Sequence, residues 1–349
     1  MNCLRLSGAG HKSSRGFSLV ELMIGLVLGL IIIGGAISVY LASKRSLTEV
    51  EQVSALSENG RFALQLITTS ARHIGFFGGA NPADITQDSE LGSVEPGKDC
   101  SGNAGVWDTD NSFFAVRAAG ASVLTCITDA VPQTDVLVIK GVAPSPEYDA
   151  DPDDPDAERD GLFSFPDPNG LNPLETYVVS NGESGVLLDG ADTPPTVSEG
   201  GDIPFGVAWP YQFQIYYISD GTLRNDGVPT LSRMILGWNG ALRTVITQDL
   251  VQGVENMRFL FGYDSANAGE VDTLGSLADV TAANAWDRVS SIQAFILVRS
   301  DVADPNYVND KSYQLGDLAP ITPGDNFRRI LLQSQIVMRN PRLVLRGEA

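Results

Sequence analysis

The sequence predicts an α+β chain, a long N-terminal helix packed on an antiparallel β-sheet domain, and three observations carry that prediction. Leu22 to Ser43 runs for 22 residues without a charge. Apolar residues then recur at helical spacing as far as Ile67. Past Gly79 the pattern changes to short alternating runs punctuated by Gly, Pro, Asn and Asp, which is how strands and turns read. At 43% hydrophobic, with 36 Gly and 19 Pro, the 349-residue chain is too apolar for global disorder and too rich in breakers for a helical bundle.

The first 43 residues behave unlike the rest. Met1 to Gly16 carries Arg5, Lys12 and Arg15 and no acid. The uncharged run that follows spans ~33 Å as a helix, enough for the hydrocarbon core of a bilayer, and Lys44 and Arg45 close it. A cleaved secretory signal does not fit. The run exceeds the usual ~7–15 apolar residues, and the best cleavage candidate, Tyr40-Leu41-Ala42, puts a ring where a small residue is wanted. A plain membrane anchor leaves Glu21 unexplained, because a carboxylate near a membrane helix is costly and usually has a partner and a function. Gly25 and Gly29 follow Glu21 at intervals of four and share its helical face. This G-x-x-x-G spacing permits close helix approach in lipid, although Gly is also simply common in membrane helices.

The order Arg15-Gly16-Phe17-Ser18-Leu19-Val20-Glu21 before an apolar helix resembles the type III signal of type IV prepilins and pseudopilins. The resemblance implies a leader at 1–16, removed by prepilin peptidase between Gly16 and Phe17, with N-methylation of the new N-terminal Phe17. It also implies that Glu21, the fifth mature residue, meets the N-terminal amine of a neighbouring subunit during assembly. Residues 17–43 would then be the transmembrane and filament-core helix.

Beyond the membrane, Leu47, Val50, Val53, Leu56, Ala63 and Ile67 carry the helix on as an amphipathic continuation over 44–79. Gly60 interrupts it as a flexible point costing about 1 kcal/mol relative to Ala. Gly75, Gly78, Gly79 and Pro82 end it, and Arg72 and His73 sit where cations suit the helix dipole. The stretches Glu58-Asn59-Gly60-Arg61-Phe62-Ala63-Leu64 and Ala71-Arg72-His73-Ile74-Gly75-Phe76-Phe77-Gly78 are similar to the PilW family of minor pilins. So is the end of the chain, where Arg328-Arg329 precedes a strand closing on Met338-Arg339-Asn340.

Residues 80–349 read as a periplasmic β-rich domain. Strands are expected at Thr134–Ile139, at Thr176–Val179 and Gly185–Leu188 as a hairpin about Asn181-Gly182, at Val254–Tyr263, at Val289–Arg299 and at Ile330–Met338. Phe205 to Tyr217 alternates to give one strongly apolar face, with Pro210 marking an edge strand or a bulge, and Asp220-Gly221 marks a turn. Residues 144–168, with Asp149, Asp151, Asp153, Asp154, Asp156 and Asp160 among several prolines, read as an acidic surface loop. Asp149, Asp151 and Asp153 have the spacing of the first three EF-hand ligands, which makes them a weak calcium candidate. Asp154 stands where that loop needs Gly, and no Glu occupies its twelfth position.

Cys3 leaves with the leader, so Cys100 and Cys126 remain as an even pair on the exported side, either bonded or as two buried thiols. A disulfide there would stabilise the domain by roughly 3 kcal/mol in the chain-entropy picture. Gly92–Lys98 has the G-x-x-x-x-G-K spacing of a phosphate loop, but Asp99 replaces the hydroxyl that holds magnesium. With two histidines, of which His11 lies in the leader, and no G-x-S-x-G or H-E-x-x-H, no enzyme signature, cofactor or metal site is expected. The balance of 23 Lys+Arg against 43 Asp+Glu, a net charge of −20, excludes nucleic-acid binding.

What the resemblance implies is a non-enzymatic fibre subunit. It would wait in the inner membrane as a single-pass protein, then enter an extracellular type IV pilus at or near the tip to prime assembly. The implied partners are prepilin peptidase, other minor pilins and the major pilin, the inner-membrane assembly platform and a large tip adhesin. A type II secretion pseudopilin shares the same signal and fold class, and a membrane-anchored periplasmic binding protein is the reading from a different class.

Overall fold

The computed structural model describes residues 16, 18–154, 156–157 and 159–338. The leader residues Cys3, Arg5, His11, Lys12 and Arg15, together with Phe17, Arg339 and Asn340, lie outside the described residues. The helix α1 spans Leu19–Arg72, and the chain divides into two compact units, Met1–Gln52 and Val53–Ala349.

Within the second unit, α1 turns one stripe inward: Leu56, Gly60, Ala63, Leu64, Ile67 and Ala71 are buried, at the threes and fours that align residues on one helix face. The helix runs unbroken through Gly60, so this glycine is not the flexible point that its propensity suggests. A β-carbon there would lie 2.3 Å from Leu332 Cδ1 and 3.2 Å from Val298 Cγ2. Gly60 is kept small by packing. After Arg72, Gly75 takes φ +72°, which a side chain resists, and the His73 ring Nδ1 bonds the Thr69 carbonyl at 2.9 Å.

Among the described residues the strands form two sheets rather than the one expected. The first holds β1 (Ile85–Gln87), β2 (Phe113–Arg117), β3 (Asp135–Val142), β4 (Thr176–Ser180), β5 (Gly185–Asp189), β6 (Val207–Ser219), β7 (Thr230–Trp238) and β8 (Arg243–Gln252). The second holds β9 (Val254–Tyr263), β10 (Thr273–Ser276), β11 (Val289–Arg299) and β12 (Arg329–Val337), in the order β10-β9-β11-β12. All pairings are antiparallel except β1 with β5. A short helix α2, Leu277–Ala282, starts on a capping box between Ser276 and Asp279.

The second sheet follows from burial on two faces. Along β6, Tyr211, Phe213, Ile215 and Tyr217 join one core, while Tyr216 and Ile218 join another. The larger of these cores gathers Met257, Phe259, Phe261 and Tyr263 from β9, with Ile292, Ala294 and Ile296 from β11. It also takes in the buried stripe of α1 and residues of β2, β3 and β6, so the two sheets and the helix share it. A single sheet with one apolar face could not enclose it.

Three expectations about β6 change with that. The strand is central, not an edge, since it pairs β3, β4 and β7. Pro210 falls at the end of the β4 pairing, which covers residues 207–210, before β7 takes over at 214–219, so its missing N–H interrupts no long ladder. Phe205 lies outside the strand at φ +57° and is 60% exposed rather than on the apolar face. Arg243, buried on β8, ties the two wings together by donating to Asp189 Oδ1 at 2.8 Å and to the Leu174 and Glu175 carbonyls.

Candidate functional site: the exposed N-terminal helix and the buried charges of the domain

The helix starts on Ser18. Leu22 donates its N–H to the Ser18 carbonyl at 3.0 Å, and Glu21 Oε2 accepts the Ser18 N–H at 3.3 Å. This is one half of a capping box, in which a glutamate at the third helical position satisfies an otherwise unpaired backbone donor. The pattern Ser18-x-x-Glu21 carries that signal in sequence, yet the membrane context drew attention to the charge alone. Glu21 therefore has a local role, and its carboxylate is held in the first turn of the helix. No ion pair to Glu21 forms among the described residues. Gly16 is exposed just ahead of this cap.

Gly25 and Gly29 have nothing within 4 Å of the position a β-carbon would take, and the same holds for Gly34 and Gly35. Among the described residues no contact requires glycine at these places, although each costs roughly 1 kcal/mol of helix propensity relative to Ala. Around them Leu22, Met23, Ile24 and Ile32 are more than half exposed. The helix is long and apolar enough to cross a membrane, and its most apolar stretch is not buried. An apolar surface of this extent is covered by lipid or by protein rather than by water.

In the domain, Cys100 and Cys126 are joined by a disulfide. It anchors the loops that cover the second core, where Cys100, Val106 and Ile127 pack beneath β6. Residues 92–98 form a loop that bridges to β8 at Val94 and Arg243, with no strand-to-helix turn for a phosphate. The acidic segment is better anchored than its composition suggests. Phe163 is buried in a small core with Tyr177, Val179 and Leu188, and Tyr148 pairs with Phe165. Asp149 is buried, whereas Asp153 is exposed and donates its own N–H to Asp151 Oδ1 at 2.9 Å. Among the described residues no group of three His, Cys, Asp or Glu side chains is placed to hold a metal ion.

The groups that sequence reading missed are buried charges. Asp135 on β3 and Arg258 on β9 are both fully buried and paired at 3.0 Å, so they join the two sheets through the shared core. Asp135 also accepts from Arg117 Nε at 3.1 Å and from the Phe259 N–H at 3.0 Å. Burial pushes its carboxyl up to about 6 against the downward pull of Arg117 and of that amide. Lys140, also fully buried, donates to the Asn103 and Asp108 carbonyls at 2.8 and 2.5 Å and so pins the disulfide-bearing loop. Burial lowers its ammonium to about 8, while the charge of Asp108 opposes the shift. Arg329 on β12 holds Glu255 and Asp325 through two oxygens each, which ties the last strand to β9. Asp135 and Arg329 open their strands and Lys140 lies near the end of β3, whereas Arg258 interrupts the middle of β9. A charge within or at the edge of an apolar run was the visible signal.

Comparison with known proteins meets this geometry at both ends. Residues 11–37 match the prokaryotic N-terminal methylation motif, and residues 215–340 match the family model described as type IV pilus-assembly protein W. The second match runs from the middle of β6 to the end of the chain's last strand and includes the whole four-stranded sheet. Searches of curated proteins and of solved structures returned no match.

Proposed function

Because this chain is a type IV prepilin-like protein of the PilW family, we propose that it is a minor pilin of the type IV pilus, cleaved after Gly16 and placed at or near the fibre tip to prime assembly. The observation that carries the reading is the presence of both matches in one chain. A methylation motif alone serves pilins and secretion pseudopilins equally, and the PilW segment favours the pilus. The structure supports a structural role in two ways. It leaves the apolar surface over residues 19–43 of α1, with Gly25, Gly29, Gly34 and Gly35, without a partner among the described residues, and its buried charges hold the sheets together.

In this reading prepilin peptidase removes residues 1–16, the assembly platform of the inner membrane draws the subunit in, and other minor pilins and the major pilin pack against residues 17–43. The domain from 80 onward is then periplasmic before assembly and extracellular after it. A domain of this size is easiest to accommodate where lateral neighbours are fewest, at the tip, beside a large adhesin. Deletion of the gene is expected to reduce surface piliation strongly, and immunogold labelling of sheared fibres is expected to mark one end. Labelling distributed along the shaft would contradict the tip position.

A further inference from the structure

The four-stranded sheet ends on β12, which among the described residues pairs only with β11. The strand holds one continuous register from Arg329 to Val337, with no bulge. Natural sheets blunt such an edge with proline, lysine or a bulge, because its outward N–H and C=O groups invite the strand of another chain. Ile330 to Val337 carries none of these devices and no charge. The Met338 N–H bonds the Ser290 carbonyl at 2.9 Å, so by alternation the N–H groups of Gln333, Gln335 and Val337 face away from β11. Helix α1 overhangs this edge. Gly60 seats on Leu332 of β12 and Val298 of β11. One flank of the helix faces the first sheet, where Asn59 reaches the Gln252 carbonyl at 3.5 Å and Ser70 shares a hydrogen bond with the Tyr216 hydroxyl at 2.8 Å. At the period of the helix, Ser57, Arg61 and Gln65 fall on the opposite flank, and with Glu58 and Phe62 they line a groove of about 670 Å³.

The sequence supplies an occupant. The chain leaves β12 at Met338, itself buried, and continues as Arg339-Asn340-Pro341-Arg342-Leu343-Val344-Leu345-Arg346, outside the described residues. Asn followed by Pro suits the first two places of a type I turn, the turn around which four-residue hairpin loops are built. With 339–342 as the loop, Leu343 lies opposite Met338, Val344 opposite Val337 and Leu345 opposite Ile336. Opposite residues share a face, so both leucines join the side of Ile336 and Met338, which belong to the larger core. Val344 then meets Val337, which is 50% exposed. A slip by one residue would turn both leucines to the other face. We propose that residues 343–346 add to β12 as an antiparallel strand beneath the flank of α1 and seal the sheet's edge against other chains. A segment tethered by so short a loop is held at an effective concentration on the order of millimolar, which a strand from a second copy does not reach.

Hydrogen–deuterium exchange on the full-length, detergent-solubilised chain tests this in peptic fragments of β12. The N–H groups of Gln333, Gln335 and Val337 are expected to exchange about tenfold more slowly than in a chain stopped after Met338. Equal exchange in the two chains would overturn the proposal. So would protection that is lost on dilution, which assigns the edge to a second copy. The register is read from cysteine pairs in a Cys3→Ser background, and these also serve if the shortened chain does not fold. Val337→Cys with Val344→Cys is expected to close an intrachain disulfide about tenfold faster than Val337→Cys with Leu343→Cys, because the second pair points to opposite faces. Equal rates, or a disulfide between chains, would contradict the proposed strand.

Discussion

Glu21→Ala is expected to lower incorporation into fibres about a hundredfold while leaving export, and the proposed cleavage after Gly16, intact. The expectation rests on the position of the carboxylate in the first turn of α1, where it accepts the Ser18 N–H, and on the proposed pairing of Glu21 with the N-terminal amine of a neighbouring subunit. Removing one partner of a desolvated ion pair costs about 3 kcal/mol or more, roughly a hundredfold in occupancy. Capping alone is worth about 1 kcal/mol, so it cannot supply an effect of that size. Glu21→Gln separates the two roles. Its side-chain carbonyl still accepts the Ser18 N–H, yet it carries no charge for a neighbouring amine. The ion-pair account predicts that both variants fail to assemble, as read by the amount of subunit in sheared fibres against total membrane subunit. Normal assembly of Glu21→Gln alongside loss in Glu21→Ala would assign the defect to the helix cap instead.

Arg258→Met destabilises the domain by about 3–5 kcal/mol at pH 8, because it leaves Asp135 in the core without its closest fully buried cation. Arg117, the remaining partner, is 28% exposed and shared with Asp317. The effect should shrink on acidification. A folded carboxyl already raised to about 6 holds a proton that the unfolded chain, near 3.8, releases, so falling pH between 7 and 4 favours the folded form through this group. Loss of Arg258 raises the folded value further, and the variant therefore gains more than the parent as pH falls. Asp135→Asn combined with Arg258→Met removes both buried charges and should recover much of the loss. Urea unfolding of the detergent-solubilised chain at pH 8 and pH 5, followed by tryptophan fluorescence, reads all three. A pH-independent difference between Arg258→Met and the parent would show that Asp135 does not sense Arg258.

How much of this was legible in the sequence depends on whether a signal is local. Val254–Tyr263 and Val289–Arg299 were bounded correctly to the residue, because long alternating apolar runs dominate them. The helix α1 ends at Arg72, short of the expected bound at 79, while the hairpin at Asn181-Gly182 followed from its turn residues. By contrast β7 and β8 went unrecognised, although Asn239-Gly240 sits in the loop between them. Their polar residues broke the alternation, and those residues turn out to be matched across the strands, Ser232 with Asp249 and Arg233 with Gln248. The division into two sheets depends on pairing between distant segments, which no single run encodes. Gly60 was misread for the same reason, since Leu332 and Val298 come from the other end of the chain. At the N-terminal site the residues were legible as chemistry and spacing, while the cap on Ser18 needed the backbone geometry. The pairing of Asp135 with Arg258 exists only in three dimensions.

The claim on which the whole account rests is that the chain is processed as a prepilin. Intact-mass spectrometry of the subunit purified from membranes and from sheared fibres measures it directly. The account predicts one species that begins at Phe17 and carries a single added methyl group on its N-terminal amine, with the Cys100–Cys126 disulfide intact. A subunit that retains Met1 to Gly16, or that is cut elsewhere, would contradict it.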